Sequence, residues 1–301
     1  MTDVEPTALT DPGPGEARII DRGYRHYDGE RTGVSGAVKG LTTHSIQRAL
    51  GMRRSIWAKL LPVATIVIAY LPAIVFVGVI ALFPVEDVPH DFLPTYGDYY
   101  GYVIAAIMLF VAFVAPEVLC TDRRTGMLGV YLSSPLDRDS YLFGKALAIA
   151  GSLSLVCLGP PLLLLVANVL QSQGPTGLGD ILLTFARVIG AGIALTLMYT
   201  GITMGVASLT DRKSVATASI ILLFLISITV TGILTAAGTA VGVRAISPTL
   251  VSLDLASRIH GEPGSNMATA SSALVWGAWL AWTVGGFTLA RFRLHALQVT
   301  R

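Results

Sequence analysis

Six long apolar runs dominate the sequence and limit what it can fold into. Each has the roughly 20 residues that an α-helix needs to cross the hydrocarbon core of a bilayer. The runs cover about residues 60–83, 100–120, 141–170, 181–209, 215–237 and 268–292. Only 13% of the 301 residues are charged, whereas a soluble domain carries about 25%. We therefore expect an all-α polytopic membrane protein with six transmembrane helices.

The distribution of basic residues predicts the orientation of these helices. Eighteen Lys and Arg lie before the first run, in residues 121–145, at 212–213 and from 291 onwards, against two, Arg244 and Arg258, on the other side. Because basic residues collect on the cytoplasmic side, both termini are expected in the cytoplasm. Four Lys beside seventeen Arg indicate a GC-rich bacterial genome, so we expect the bacterial plasma membrane.

Composition divides the chain into four regions. Residues 1–33 are rich in Pro, Gly and acids and are expected to be a disordered cytoplasmic tail. Residues 34–59 interleave apolar and basic side chains, which is typical of an amphipathic helix in the membrane interface. Residues 60–292 are the six-helix domain, and residues 293–301 are a second cytoplasmic tail.

An external segment, residues 238–267, joins the last two apolar runs. Ser247 followed by Pro248 predicts the start of a helix, because Ser caps helices and Pro suits their first turn. Gly261 predicts its end. This helix either turns back into the membrane between the spans or lies as a cap at the external interface, and the sequence leaves both readings open.

Motifs for catalysis or for binding a cofactor are absent from the sequence. It contains no GxxxxGK[ST] phosphate loop, no HExxH, no GxSxG and no cysteine pair at metal-binding spacing. The five histidines all lie outside the apolar runs, and no carboxylate lies in mid-membrane, which disfavours a proton relay. We expect no catalytic residue, no metal site, no bound cofactor and no nucleic-acid partner.

Two ionisable residues lie inside the apolar runs. Glu117 is about one turn inside the inner end of the second run. It either pairs with Arg123, Arg124 or the amphipathic helix, and so links cytoplasmic contacts to helix position, or simply marks the helix end. Arg187 is about two turns inside the outer end of the fourth run, within snorkelling reach of the interface.

Residues 121–140 form an unusually charged connection between two spans. Three arginines alternate with three aspartates, and Gly126 and Pro135 bracket a short amphipathic stretch. The pattern predicts a small structured element at the membrane surface that contacts another protein. The alternative is a solvated basic loop that merely obeys the positive-inside rule.

The order of short motifs in this region resembles the first cytoplasmic loop of type 2 ABC-transporter permeases. The motifs are Asp122-Arg123-Arg124-Thr125-Gly126-Met127-Leu128, then Ser134-Pro135-Leu136-x-Arg138, then Gly144-Lys145. An amphipathic helix before six spans and Ile246-Ser247-Pro248 before the sixth span are also similar to that family. The resemblance covers residues 34–293, although Asp122 replaces the more usual Glu.

The resemblance implies the permease subunit of an ABC exporter, working as a homo- or heterodimer of permease chains in the lipid bilayer. A separate cytoplasmic ABC ATPase would bind ATP and magnesium. The loop would be the coupling helix, with a second contact at Asp211, Arg212 and Lys213. The expected coupling residues are Asp122, Arg123, Arg124, Gly126, Met127, Leu128, Pro135 and Arg138.

Small residues in the fourth run indicate a close helix contact. Gly201-x3-Gly205 has the spacing that lets two helices approach closely, and we interpret it as a contact between two permease chains.

Two other function classes fit a six-span protein. One is a secondary transporter or channel that uses an ion gradient, which the missing mid-membrane acids disfavour. The other is a non-transporting membrane anchor that recruits a soluble partner through the same loop. Spans without central charge fit an apolar or amphiphilic cargo such as a drug or lipid, but relatives of similar architecture export polar polysaccharides, so the substrate stays open.

Overall fold

A computed structural model describes residues 33–52, 56–83, 94–175, 177–264 and 266–297, together with Gly29. These ranges contain α-helices, one 3-10 helix at Val241–Ile246 and no strand. The α-helices are α1 (Gly33–Ala49), α2 (Ile56–Leu82), α3 (Tyr99–Arg124), α4 (Met127–Leu132), α5 (Arg138–Cys157), α6 (Gly159–Leu170), α7 (Leu178–Ala207), α8 (Lys213–Ala236), α9 (Pro248–His260) and α10 (Ser272–Ala296). The disordered tail expected at residues 1–33 falls outside the described ranges, apart from Gly29 and from Gly33, which begins α1.

Six helical segments are long and apolar enough to cross a membrane. They are Lys59–Leu82, Tyr99–Arg124, Arg138–Leu170, Leu178–Ala207, Lys213–Ala236 and Ser272–Ala296. Each overlaps one of the apolar runs, so the prediction of an all-α protein with six transmembrane helices is confirmed.

The third span is two helices rather than one. Pro160 and Pro161 follow the break between α5 and α6, and neither has the amide hydrogen that an uninterrupted helix needs. Tyr70 of α2 packs beside the break, where its hydroxyl donates to the Leu155 carbonyl over 3.1 Å. The break is therefore supported from a neighbouring helix.

Helix α3 is the central column of the bundle. In its most apolar window 72% of the residues are buried, against 17% in α8 and in α10. It packs against α2, α5, α7 and α8. Its first residue, Tyr99, lies at one end of the bundle, which we call the α9 end. Its last residue, Arg124, lies at the opposite end, which we call the α4 end.

Helices α7 and α10 cross with their backbones in close contact. A Cβ atom at Gly201 would lie 2.6 Å from the Thr283 carbonyl oxygen, and one at Gly205 would lie 2.9 Å from the Gly286 carbonyl oxygen. Both glycines are buried within the chain. The interpretation of their spacing as a contact between two permease chains is corrected accordingly, because the helix that approaches them is α10 of the same chain.

Helix α9 begins and ends where the sequence predicts. The Ser247 hydroxyl accepts a hydrogen bond from the Leu250 amide at 3.5 Å, and Pro248 occupies the first position of the helix. Gly261 ends the helix with a φ of 82°, a conformation that favours glycine.

The path of α9 shows that the chain turns back into the bundle between α8 and α10. Near the start of α9, Ser252 Oγ lies 2.8 Å from the hydroxyl of Tyr199. Tyr199 is on α7, eight residues before the end of that helix, and therefore about 12 Å from the α4 end. Near the end of α9, the ring of His260 stacks on Tyr96, which precedes α3. The helix therefore rises from deep in the bundle to the α9 end, which favours the re-entrant reading over an interfacial cap.

An ion pair within α9 anchors the residues that lead into α10. Asp254 is fully buried and lies 2.8 Å from the guanidinium of Arg258. Asp254 also accepts a bond from the Met267 amide at 3.0 Å. Arg258 donates to the carbonyls of Met267 and Ala270 at 2.8 Å and to the Ser272 hydroxyl at 2.7 Å. Both charges are therefore matched inside the segment, as burial requires.

Candidate coupling surface

Helix α4 is a six-residue helix held between two transmembrane helices. Gly126 lies between α3 and α4 with a φ of 70°, so a residue without a Cβ suits this turn. At the other end of α4, the hydroxyls of Ser133 and Ser134 donate to the carbonyls of Val130 and Tyr131. Both ends of α4 are thus fixed by local structure.

The entry into α5 is a capping box formed by Asp137 and Ser140. The Asp137 carboxylate accepts a bond from the Ser140 amide at 2.8 Å, and the Asp137 amide donates to the Ser140 hydroxyl over 2.9 Å. Because the hydroxyl and the amide of Ser140 both interact with this carboxylate, the pKa of Asp137 is lowered from its ordinary value. The connection from α4 to α5 therefore starts the third span at a defined residue.

The two faces of α4 have different environments. Val130 and Met127 are 60% and 38% exposed. Leu128 and Tyr131 instead pack on a small cluster of buried residues, which consists of Leu41, Leu136, Tyr141 and Leu294. Burial raises the pKa of the Tyr131 phenol, and the nearby Asp122 carboxylate adds to the shift. The inner face anchors α4, and the outer face presents apolar side chains to the surroundings.

Asp122 lies inside the chain and not on the surface of the loop. Its carboxylate is fully buried, with one oxygen 2.7 Å from Arg48 Nη1 and the other 2.5 Å from Lys145 Nζ. The Tyr141 hydroxyl donates to the same carboxylate at 3.2 Å. The expectation that Asp122 contacts a partner protein is therefore wrong, because its charge is matched by two cations of its own chain.

A second carboxylate extends this ion-pair network to α8. Glu117 Oε1 lies 3.5 Å from Arg48 Nε, and its Oε2 lies 2.5 Å from Lys213 Nζ. Of the alternatives for Glu117, the structure thus shows pairing with α1, through Arg48. Together with Asp122 and Lys145 these residues join α1, α3, α5 and α8. Sequence reasoning missed Arg48 because a basic residue in an amphipathic segment is expected to face lipid headgroups.

The Gly144-Lys145 motif explains how α1 docks on α5. A Cβ atom at Gly144 would lie 3.0 Å from a methyl carbon of Leu41, so glycine allows the two helices to approach. The Thr42 hydroxyl donates to the Gly144 carbonyl over 3.1 Å, and Lys145 Nζ donates to the Ser45 hydroxyl over 2.9 Å. Helix α1 is therefore packed on the bundle.

Arg123 ties the first loop to the loop between α7 and α8. Its Nη1 donates to the Ser208 carbonyl at 2.6 Å, and its Nε lies 3.1 Å from Asp211 Oδ1. The Arg123 side chain is 9% exposed. Lys213 is engaged by Glu117, as described above, and Arg212 is exposed. The two candidate contact loops are thus joined to each other.

Arg138 ties the same loop to the end of α10. Its guanidinium donates to the carbonyls of His295 at 2.6 Å and Leu297 at 3.1 Å.

Among the expected coupling residues, Arg124, Gly126, Met127 and Pro135 are exposed, Arg123, Leu128 and Arg138 are half-buried, and Asp122 is buried. The exposed part of the candidate coupling surface is therefore smaller than the sequence motif, and it includes Val130.

A groove of about 950 Å³ opens beside this surface, between α2, α3 and α8. Its residues at the α4 end are Arg124, Arg212 and Lys213, and its apolar wall includes Leu61, Phe113 and Ile221. Phe113 lies eleven residues before Arg124, so the groove reaches about 16 Å along α3. It combines a cationic rim with an apolar interior.

The remaining site prediction, Arg187, lies far from this surface. It is on α7 towards the α9 end, beside Gly261, where a Cβ atom would lie 3.3 Å from its Nη2. In the described ranges no group of three or more His, Cys, Asp or Glu is placed to hold a metal ion. The charged residues near α4 therefore form the main candidate site.

Comparison with known families identifies the chain. The model of the family described as "ABC-2 family transporter protein" matches residues 83–287. This range extends from the end of α2 into α10, so it contains α4 and covers more than half of the chain. A comparison with curated proteins gave no match. The chain belongs to the ABC-2 transporter family and is a type 2 ABC-transporter permease, a multi-pass membrane protein.

Proposed function

We propose that this chain is the permease subunit of an ABC exporter in the bacterial plasma membrane. The α4 end faces the cytoplasm, and a separate ABC ATPase subunit binds the outer face of α4. One observation carries this proposal: α4 presents Val130 and Met127 outwards, while its inner face is packed on the bundle. Exposed apolar residues on a rigid element outside the membrane are typical of a protein-binding surface.

The ion pairs suggest how closure of the ATPase reaches the translocation pathway. Rigid-body motion of a domain moves whatever packed element it holds. Helix α4 follows α3, and α3 is bound to α1, α5 and α8 through Asp122 and Glu117. Arg123 passes the same displacement to the second loop, at Asp211. Because α3 and α8 also line the groove, motion of α4 changes the width of the groove.

The chemistry of this complex is divided between subunits. ATP and magnesium bind the partner ATPase, and this chain catalyses no reaction. Two permease chains, identical or different, assemble with the ATPases. The groove favours an apolar or amphiphilic cargo such as a drug or lipid, since its interior includes Leu61, Phe113 and Ile221.

The exposed residue Val130 provides the test. Val130→Asp places an unpaired carboxylate in the proposed interface, so we expect ATPase binding to weaken roughly 10-fold or more. Met52→Asp is the matched control, because Met52 is 48% exposed at the same end of the bundle but lies in neither loop. Leu128 is unsuitable for this test, since its side chain packs on the internal cluster.

The measurements are co-purification in mild detergent and transport in proteoliposomes. We expect the unmodified chain and Met52→Asp to retain a soluble subunit with a phosphate loop and to transport a fluorescent amphiphile with ATP. Val130→Asp should lose both properties and keep its thermal stability. Unchanged ATP-driven transport by Val130→Asp would contradict the coupling role of α4. Transport on an ion gradient without ATP would identify a secondary transporter, and a stable complex without transport would identify a membrane anchor.

A further inference from the structure

A second groove lies on the outer surface of α5, α7 and α10 at the α4 end. Its volume is about 380 Å³, within the range of roughly 300–1,000 Å³ that is usual for small-molecule sites. It is lined by apolar side chains, among them Ala146, Leu147, Ala150 and Leu197. Leu147 is 41% exposed, so the groove is open on the outer surface of the spans.

A guanidinium stands at the rim of this groove. Arg291 Nε and Nη2 bond to the two Asp139 carboxylate oxygens at 2.9 and 2.8 Å. His295 Nε2 lies 3.1 Å from the same carboxylate. Within the described part of the chain these bonds leave Arg291 Nη1 without a partner, and the side chain is 63% exposed. An oriented guanidinium with a free edge is well suited to bind phosphate.

A buried hydroxyl without a partner lies deeper in the groove. Thr200 is fully buried and lines the groove, and its Oγ1 has no hydrogen-bond partner in the described ranges. Other threonines in the spans, such as Thr203 and Thr231, donate to the carbonyl four residues earlier. Buried hydroxyls normally have an acceptor; the Thr196 hydroxyl also has no partner in the described ranges, but of the two residues Thr200 is the one that lines this groove.

The contact between α7 and α10 gives the positions of Thr200 and Arg291 relative to each other along the bundle. Gly201, next to Thr200, faces the ring of Phe287. Phe287 precedes Arg291 by one helical turn, or about 6 Å. Thr200 therefore lies about one turn further from the α4 end than the backbone of Arg291.

We propose that this groove binds one phospholipid from the membrane leaflet at the α4 end. Its phosphate accepts from Arg291 Nη1, an ester carbonyl one turn deeper accepts from the Thr200 hydroxyl, and an acyl chain lies along Ala146 and Ala150. A second copy of the chain would cover the same apolar walls, and the test below distinguishes it from a phospholipid. A phospholipid supplies a phosphate and an ester oxygen at the required order and depth.

The test measures lipid binding, so it is independent of the exporter function. The full chain is reconstituted in phosphatidylcholine nanodiscs that contain phosphatidylglycerol with a photoactivatable diazirine in one acyl chain. After illumination, mass spectrometry locates the labelled peptides. We expect labelling of residues 142–150 and 197–200, with competition by unlabelled phosphatidylglycerol and not by a free fatty acid.

Three variants and one control separate the parts of the site. Ala150→Phe fills the groove and should reduce labelling about 10-fold. Thr200→Val keeps the shape and removes the hydroxyl, so labelling should fall about fivefold, the loss expected for one hydrogen bond. Arg291→Gln should reduce it about 10-fold, as a charge-assisted bond is lost. Arg293→Gln is the control, because Arg293 is exposed on the same helix but does not line the groove, and it should label like the unmodified chain.

Three results would overturn the proposal. One is equal labelling of Thr200→Val and the unmodified chain. Because Thr200→Val is nearly isosteric, it tests the proposal even if Ala150→Phe fails to fold. Another is equal competition by the free fatty acid, since a phosphodiester and an ester would then be unnecessary. The third is exclusion of the lipid label together with an intermolecular disulfide in Leu147→Cys, which would show that a second chain occupies the groove.

Discussion

The crossing of α7 and α10 gives the sharpest prediction, through a single methyl group at Gly286. A Cβ atom there would lie 2.6 Å from the Ile202 amide nitrogen, and it would lie closer still to the carbonyl group of Gly201. Ordinary contacts of a Cβ atom begin at 3.4 Å. Because backbone atoms cannot rotate away, Gly286→Ala must separate the two helices by about 0.8 Å or more.

The neighbouring residue Gly285 isolates this steric effect. A Cβ atom at Gly285 meets nothing within 4 Å, so Gly285→Ala changes only helix propensity, a gain of at most about 0.5–1 kcal/mol. Overpacking a close contact costs about 1–3 kcal/mol. We therefore expect Gly286→Ala to be less stable than Gly285→Ala by about 1–3 kcal/mol.

Reversible unfolding of the full chain in mixed detergent and SDS micelles measures this difference. Equal stability of the two variants would refute the reasoning, because the close approach of the backbones would then be absent. If Gly286→Ala instead weakened a dimer and left the monomer unchanged, these glycines would lie between two chains, as the sequence alone suggested.

Two further predictions use the same unfolding assay. Asp122→Asn leaves Lys145 as a buried cation without a carboxylate, so we expect the free energy of unfolding to fall by about 3–5 kcal/mol. The double variant Asp122→Asn/Lys145→Met should recover part of this loss. A loss below about 1 kcal/mol in Asp122→Asn would contradict the network. Ser252→Ala leaves the buried Tyr199 hydroxyl without its acceptor, which should cost about 1–3 kcal/mol. Tyr199→Phe should cost less stability, about 0.5–1.5 kcal/mol, since Ser252 keeps a bond to a backbone carbonyl. A larger loss in Tyr199→Phe than in Ser252→Ala would contradict this arrangement.

The parts of the fold that the sequence predicts correctly depend on local chemistry. The six spans follow from the length of the apolar runs, because a membrane leaves few alternatives to a helix. The start of α9 follows from Ser247 and Pro248, whose effects act within one helical turn. These features need no knowledge of which helices are neighbours.

The parts that the sequence does not predict depend on contacts between distant segments. Asp122 is buried because Arg48, 74 residues earlier, reaches it from α1, and the pattern of α1 alone cannot show which helix it packs against. The spacing of Gly201 and Gly205 shows that a helix comes close but not which helix it is. For the candidate coupling loop, the motif falls on the short helix α4, whereas the direction of each side chain depends on the packing beneath it.

The re-entrant segment has a consequence for how the protein is assembled in the membrane. Helix α9 has thirteen residues, so it is about 20 Å long and too short to cross the hydrocarbon core. It also carries Asp254 and Arg258, and charged residues disfavour lateral release from an insertion channel into lipid. Arg258 is satisfied by the carbonyls of Met267 and Ala270, which lie in the connection that leads into α10. With the α4 end in the cytoplasm, as proposed above, we expect the segment to be translocated first and to fold inwards afterwards, as a late step of biogenesis.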